Sequence, residues 1–236
     1  INGHLYVGSY LSLAALTSVP IIFLSFYSPK TEPASVEKYK GRSYFELILQ
    51  PRFLQAVASA AFAYAIMSFL MTATPINMHI MEHYNLNKTG IVIQLHIVSM
   101  FLPSLITGNL LKKFGHSKII YAGVVFYVLT ILLSFLEPSF FNYILALVFL
   151  GLGWNFLYLS GTGLLVLSYK EEEKFKAQGF NDIIVFSIQA SASLSAGYML
   201  SITSWKTMNL IAVPFLFLII FSSIRADLSK NDKQRN

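Results

Sequence analysis

Apolar residues are gathered along the chain into long runs that are separated by short polar connections. A helix needs about 20 mainly apolar residues to cross the hydrocarbon core of a bilayer, and seven runs approach or exceed that length. They cover residues 5–26, 53–78, 90–111, 118–136, 142–168, 178–201 and 207–224. The pattern predicts an all-α, polytopic membrane bundle whose helices cross the bilayer in alternating directions.

The composition agrees with this fold class. Of the 236 residues, 55% are hydrophobic and only 12% are charged, with a mean hydropathy of +0.60, whereas soluble domains carry about 25% charged residues. The net charge of +6 does not indicate a nucleic-acid partner, because the basic residues lie in the connections between apolar runs. With no cysteine, a disulfide, a thiolate zinc site and a thiol nucleophile are excluded, and we expect no cofactor.

The basic residues are distributed unequally between the two ends of the predicted spans. If the lysine-rich turn at residues 108–118 is cytoplasmic, 15 of the 17 basic residues fall on the cytoplasmic side, and only Lys88 and Lys206 fall outside. Cytoplasmic connections of membrane proteins are enriched in lysine and arginine. The asymmetry therefore predicts an outer N-terminus and a cytoplasmic C-terminus, in a plasma or cell inner membrane.

The lysine-rich turn has a specific pattern. The positions of G-x-L-x-D-R/K-x-G-R/x-x-R/K are matched by Gly108, Leu110, Lys113, Gly115 and Lys118. The pattern is the cytoplasmic motif after the second helix of each half in major facilitator superfamily transporters, which this chain therefore resembles. Lys112 departs from it, since the family often has aspartate there. A degenerate motif of this kind is common in the C-terminal half of such proteins.

The resemblance implies a transporter built from two six-helix halves that alternately open a central site to either side of the membrane. It places residues 1–26 as the sixth of twelve helices and residues 27–52 as the cytoplasmic loop between the halves. Residues 53–224 are then the C-terminal bundle and residues 225–236 a cytoplasmic tail. Within the loop, residues 43–49 are predicted to form a short interfacial helix. The expected partners are a small-molecule solute, the lipid bilayer and an N-terminal half that this sequence lacks.

The six spans after the loop differ in polarity. Residues 119–136 and 208–224 carry almost no strongly polar side chains, and we expect these two helices to face lipid. The other four carry amide, imidazole, indole and carboxylate groups, which are costly in hydrocarbon unless they face protein or water. The apolar helices are the third and sixth of the six, which matches two inverted three-helix repeats, as the resemblance implies.

The candidate solute-binding residues lie in the polar spans. Asn155 and Tyr158 share one helical stripe near the middle of their span, with Trp154 beside them, and Gln189 lies near the middle of another. Trp154 could stack on a ring-bearing solute. Alternatively, the stripe packs on a neighbouring helix, and Asn155 forms a hydrogen bond across helices. Four glycines between positions 151 and 163 indicate bending or close packing of the same helix.

Gln94 and His96 are candidates in the second of these spans. His96 lies well inside the span and titrates near neutral pH, so it could couple transport to protons; the alternative is a hydrogen bond between helices. Gln94 is about 200° around the helix from His96, so the two cannot face the same cavity centre. No acidic residue lies deep in any span. A coupling carboxylate is therefore expected in the N-terminal half.

The candidate cytoplasmic gate consists of Asp182 and the motif residues Gly108, Lys112, Lys113, Gly115 and Lys118. Asp182 could form a salt bridge to Lys112 and Lys113, or it could simply stabilise the first turn of its own helix through the helix dipole. At the other end, His79 and His83 flank Glu82 without a third convergent ligand, so no metal site is expected.

These observations favour a secondary transporter, expected to be proton-coupled, for an unknown solute. A largely uncharged cavity indicates a neutral, aromatic or weakly polar solute. The alternative is a seven-helix membrane receptor or sensor, but the last span lacks a lysine for a retinal Schiff base. A membrane enzyme is not expected, because no intramembrane aspartate pair and no convergent serine and histidine are present.

Overall fold

The computed structural model describes residues 7–27 and 41–235. The α-helices in these residues are α1 (Val7–Ser25), α2 (Tyr44–Ile48), α3 (Pro51–Ile76), α4 (Leu86–Phe101), α5 (Ser104–Phe114), α6 (His116–Leu133), α7 (Phe140–Val166), α8 (Lys174–Ile202), α9 (Trp205–Ile211) and α10 (Val213–Arg235). A π-helical turn, Asn77–Met81, continues α3, and a 3₁₀ turn, Glu171–Glu173, precedes α8. This part of the chain contains no strand, which confirms the predicted all-α class.

Five continuous stretches of the described chain are long and apolar enough to cross a membrane. They are Pro51–Met81, His116–Leu133, Phe140–Val166, Glu171–Ile202 and Trp205–Ser229. The pair α4 and α5, bent by 40°, counts as a sixth span if the two helices are taken as one. The protein is therefore an integral multi-pass membrane protein. The apolar stretch of α1, Tyr10–Ser25, is shorter than these six, so its predicted crossing of the bilayer stays a prediction.

Two helix boundaries differ from those predicted. The run at residues 90–111 was expected to be one helix, but it breaks between Phe101 and Ser104. Pro103 lies in the break, and proline has no backbone N–H and sterically disfavours the preceding helical turn. At the other end, α10 continues helically to Arg235, so most of the predicted tail is an extension of the last span. The helix predicted near Ser43 is present as α2.

Helix α7 lies at the centre of the bundle, between α3, α4 and α6. Glycines allow these helices to approach closely. A Cβ atom on Gly151 would lie 2.0 Å from Ser99 Oγ in α4, and one on Gly161 would lie 2.8 Å from the Ala56 carbonyl oxygen in α3. Gly153 makes a similarly close approach to α6. Of the two roles that the sequence allowed for these glycines, the structure shows close packing.

The two apolar spans lie at the periphery. Helix α6 packs on α7, and α10 packs on α3. Both expose large apolar side chains, among them Val125 and Leu132 on α6 and Phe217 and Phe221 on α10. In a membrane these side chains would contact lipid tails. The remaining spans neighbour one another in the order α4, α7, α3 and α8.

The turn between α5 and α6 depends on one glycine. Gly115 has φ +83° and ψ 158°, a region that side-chain-bearing residues occupy only with strain. We expect Gly115→Ala to destabilise the protein by about 1–3 kcal/mol, although a Cβ there would meet no neighbouring atom within 4 Å. Thermal unfolding in detergent would measure this. Gly108→Ala is the matched control, because Gly108 is equally open but helical, and an equal loss in both variants would contradict the backbone explanation.

Candidate functional site

Three aromatic side chains meet between α3 and α7. The rings of Trp154 and Tyr158 are stacked, with centroids 4.9 Å apart and planes inclined by 11°. The ring of Tyr64 contacts both edge-on, at 5.3 Å from each centroid. Trp154 and Tyr158 can stack because residues four apart lie on the same face of a helix. The sequence analysis grouped Tyr158 with Asn155 instead, placed Trp154 only beside them, and did not indicate Tyr64.

Neighbouring helices extend this group on both sides. Phe101 at the end of α4 packs edge-on to Trp154 at 5.9 Å, and Phe186 of α8 packs edge-on to Tyr64 at 6.1 Å. We call Tyr64, Phe101, Trp154, Tyr158 and Phe186 the aromatic cluster. Its members come from four different helices. Tyr64 and Trp154 each lie within one residue of the midpoint of their helix.

The aromatic cluster has an accessible face. Phe101 and Phe186 are 58% and 50% exposed, and Tyr64 and Tyr158 are half-buried. Within the described part of the chain, the hydroxyl groups of both tyrosines have no hydrogen-bond partner. Trp154 itself is only 5% exposed, and its indole N–H is buried without a partner among the described residues. The cluster thus offers ring surface and two free hydroxyl groups to a molecule on its open side.

A polar seam between α3 and α8 adjoins the cluster. Gln189 donates a hydrogen bond from Nε2 to Ser68 Oγ at 3.1 Å, and Thr72 Oγ1 lies 3.1 Å from Ser193 Oγ. Gln189 follows Phe186 by three residues and therefore lies on the same side of α8. It is within one residue of the midpoint of α8. The structure thus brings Gln189 next to the aromatic cluster.

Gln94 and His96 of α4 have different surroundings. Gln94 is exposed and precedes Phe101 by seven residues, so both lie on nearly the same face of α4. His96 is fully buried, and its Nδ1 lies 2.8 Å from the Leu147 carbonyl oxygen in α7. Since a carbonyl only accepts, Nδ1 carries the hydrogen. The structure therefore places His96 in a contact between helices and away from the open face.

Asn155 also joins helices. It is fully buried, and its side-chain amide bonds to the region where α4 and α5 meet. This is the hydrogen bond across helices that the sequence left open as an alternative. Asn155 therefore lies directly behind the aromatic cluster rather than on its accessible face.

The motif residues lie apart from the cluster, at the far end of α5. Lys112, Lys113 and Lys118 are exposed. Asp182 is exposed as well and accepts a hydrogen bond from Asn181 Nδ2 at 3.1 Å. In the described ranges, the ion pairs within 4 Å are Arg42 with Glu173 and Lys174 with Glu171. The salt bridge considered for Asp182 is thus not formed in this conformation.

The Arg42–Glu173 pair was not anticipated from the sequence. Arg42 Nε donates to Glu173 Oε1 at 2.8 Å, and its terminal nitrogen donates to Oε2 at 2.6 Å. Lys176 adds a hydrogen bond from Nζ to the Arg42 carbonyl oxygen. These contacts attach the segment before α2 to the start of α8. Because the partners are 131 positions apart, no local pattern could have indicated them.

Comparison with known proteins decides the family. The sequence model of the Major Facilitator Superfamily matches residues 56–236. The chain belongs to this superfamily. It is 34% identical over 220 residues to a riboflavin transporter of Brucella anthropi, an alignment that covers 92% of this chain and 54% of the relative. It is also 34% identical over 160 residues to an uncharacterized transporter of the superfamily from Bacillus subtilis, covering 67% of this chain and 36% of that relative.

These matches confirm the family resemblance of the motif. The chain spans about half the length of the riboflavin transporter it matches. Six spans in the bundle, with the two apolar ones at the edge, agree with one half of a superfamily transporter.

Proposed function

We propose that the chain is the C-terminal six-helix half of a secondary transporter for planar heteroaromatic solutes, with riboflavin as the first candidate. The observation that carries this proposal is the aromatic cluster, in which four helices contribute rings to one accessible face. Transporter sites are built near the bilayer midplane between the two halves. The cluster would form one wall of such a site.

The chemistry of the cluster suits a flat ring system. Aromatic rings stack on other rings and on their edges with favourable quadrupole interactions. The free hydroxyl groups of Tyr64 and Tyr158 can donate to the carbonyl oxygens of a heteroaromatic ring, and Gln189 and Gln94 can bond its polar substituents. The indole N–H of Trp154 is buried without a hydrogen-bond partner among the described residues, which costs free energy. A solute acceptor that reached it would remove this cost.

The other parts of the proposal follow from the family. An N-terminal half would supply the opposite wall, and the two halves would rock around the solute. We propose that the turn containing Lys112 and Lys113 lies on the cytoplasmic side, as the charge distribution predicts. Asp182 could reach this turn only in a conformation other than the present one. We also propose coupling to protons, with the titrating carboxylate in the other half, because His96 is enclosed between helices.

The test is uptake by the complete gene product reconstituted in proteoliposomes, with and without an imposed pH gradient. Radiolabelled riboflavin is compared with ribitol, which has the same polyol chain without the ring system. We expect accumulation of riboflavin that collapses with the gradient, and no accumulation of ribitol. Equal transport of both solutes would contradict the aromatic site. Riboflavin that merely equilibrates would contradict proton coupling alone.

Tyr158→Leu should weaken riboflavin recognition. Loss of one stacked ring costs about 1–3 kcal/mol, which corresponds to a rise in KM of about 5-fold to 150-fold. The matched control is Phe149→Leu in the same helix, because Phe149 is also stacked but faces Phe126 of α6. Initial uptake rates over a range of riboflavin concentrations measure both variants. A similar KM in the two variants would remove Tyr158 from the site.

A further inference from the structure

The span formed by α4 and α5 is broken beside the aromatic cluster. Helix α4 ends at Phe101, α5 begins at Ser104, and their axes differ by 40°. Pro103 lies between them and cannot donate a backbone hydrogen bond. Carbonyl groups in the last turn of α4 are therefore left without their usual partners. In a membrane such groups must be satisfied by other parts of the protein.

One side chain of the neighbouring helix α7 bonds to one of these carbonyl groups and to two hydroxyl groups of α5. Asn155 Nδ2 lies 2.7 Å from the Met100 carbonyl oxygen and 2.7 Å from Ser104 Oγ, and Thr107 Oγ1 donates to Asn155 Oδ1 at 2.7 Å. Both amide hydrogens and the amide oxygen are thus used. Two of the contacts are with α5 and one is with α4. Asn155 therefore holds both arms of the broken span at one angle.

The break connects two regions of the protein. On one side, Phe101 contacts Trp154, which is the residue before Asn155. On the other, α5 leads through Lys112 and Lys113 to the turn at Gly115. Helix α5 packs only lightly on its neighbours compared with α4 on α7. A change in angle at the break would therefore move α5 relative to α7 while α4 stays in place.

We propose that Asn155 is a positioning residue that sets the bend between α4 and α5, and that α5 moves as a rigid lever between the aromatic cluster and the Gly115 turn. The inference rests on the proposed function only where transport is concerned. The bend and its hydrogen bonds are properties of the bundle itself. A solute that displaced Phe101 or Trp154 would act next to Asn155, because Trp154 precedes Asn155 in the chain.

The bend can be measured without any solute. The chain contains no cysteine, so Ile91→Cys on α4 and Asn109→Cys on α5 introduce a pair of unique labelling sites within it, both exposed. Spin labels at these positions report the distance between the two arms by double electron–electron resonance. The variants are Asn155→Leu and the milder Thr107→Val. Thr74→Val is the matched control, because Thr74 is buried and bonds only to Leu70 of its own helix.

We expect one narrow distance distribution in the parent and in Thr74→Val, and a broadened or shifted distribution in Thr107→Val and Asn155→Leu. If Asn155→Leu fails to fold, Thr107→Val still decides the outcome, since valine has nearly the same shape as threonine. An unchanged distribution in Thr107→Val, or the same change in Thr74→Val, would overturn the proposal.

Transport kinetics separate positioning from solute contact. For Thr107→Val we expect the maximal uptake rate to fall about tenfold while KM stays nearly constant, because a mispositioned lever slows the conformational step. A rise in KM at an unchanged maximal rate would instead make this group part of the solute site and contradict the lever. If riboflavin is not transported at all, the proposed function fails, whereas the distance measurement still tests the bend between α4 and α5.

Discussion

Replacing Gly161 by leucine is expected to prevent the bundle from folding. A Cβ atom at this position would lie 2.8 Å from the Ala56 carbonyl oxygen and 2.9 Å from the Ala60 amide nitrogen. Both are backbone atoms of α3, so no side-chain rotation can make room. Overpacking usually costs about 1–3 kcal/mol, and a leucine wedged between two backbones should reach or exceed the upper value.

The experiment measures the monodisperse fraction after size-exclusion chromatography in detergent, followed by thermal unfolding. Gly161→Ala should be intermediate, because it adds only the Cβ atom. Gly90→Leu in α4 is the matched control, since a Cβ on Gly90 meets nothing within 4 Å. If Gly161→Leu behaved like Gly90→Leu, the close approach of α3 and α7 would be wrong.

Replacing Arg42 by methionine is expected to lower the free energy of unfolding by about 2–3 kcal/mol, because the buried Glu173 carboxylate loses its cationic partner. The Arg42 side chain is itself 33% exposed. Glu173 is only 1% exposed, and it loses two side-chain hydrogen bonds in this variant. Methionine keeps much of the apolar stem of arginine. The loss therefore reports the charge and its hydrogen bonds rather than packing.

Thermal unfolding of four proteins tests this: the parent, Arg42→Met, Glu173→Met and the double variant. The double variant should recover part of the loss, since no unpaired buried charge remains. Glu171→Gln is the matched control two residues away. The Glu171 carboxylate is 84% exposed and 3.5 Å from Lys174, and surface pairs of this kind contribute about 0–1 kcal/mol. Equal effects of Glu171→Gln and Arg42→Met would exclude a structural role for the buried pair.

The contribution of Arg42 to the stability of the protein depends on pH in a defined direction. The hydrogen bond from Arg42 to the Glu173 carboxylate raises the pKa of the arginine above its ordinary value. A group whose folded pKa is raised stabilises the protein fully below its unfolded pKa and loses that contribution only as the pH rises through the folded one. Arg42 should therefore stay protonated, and keep its contribution to stability, throughout the neutral and mildly alkaline pH range.

Several features could be predicted from the sequence because each depends on neighbours along the chain. The long apolar spans, the short helix α2 and a turn within residues 108–118 all follow from local composition, capping and glycine. The structure confines that turn to Gly115, since α5 continues to Phe114 and α6 begins at His116. The family could be recognised because its motif is itself a local pattern. Helical periodicity grouped Asn155 with Tyr158, whereas the structure stacks Tyr158 on Trp154 and turns Asn155 toward α4 and α5.

The partners across helices could not be predicted in the same way. Asn155, His96 and Trp154 were each left with two alternatives, because periodicity shows which face a residue occupies but not what lies opposite. The structure places Asn155 and His96 in contacts between helices and Trp154 in an aromatic cluster with Tyr64. The break at Pro103 was also missed, since an apolar run alone does not distinguish a straight span from a bent one.

By itself, the sequence determined the class, the number of spans in the bundle and the family of this protein, because burial in lipid acts on each helix separately. Only the tertiary structure decided which polar groups face the open side and which hold helices together. That choice depends on glycines that bring α3, α4 and α6 against α7. It also depends on hydrogen bonds between residues more than 40 positions apart. These contacts and hydrogen bonds form, and stabilise the protein, only once the helices have packed against one another.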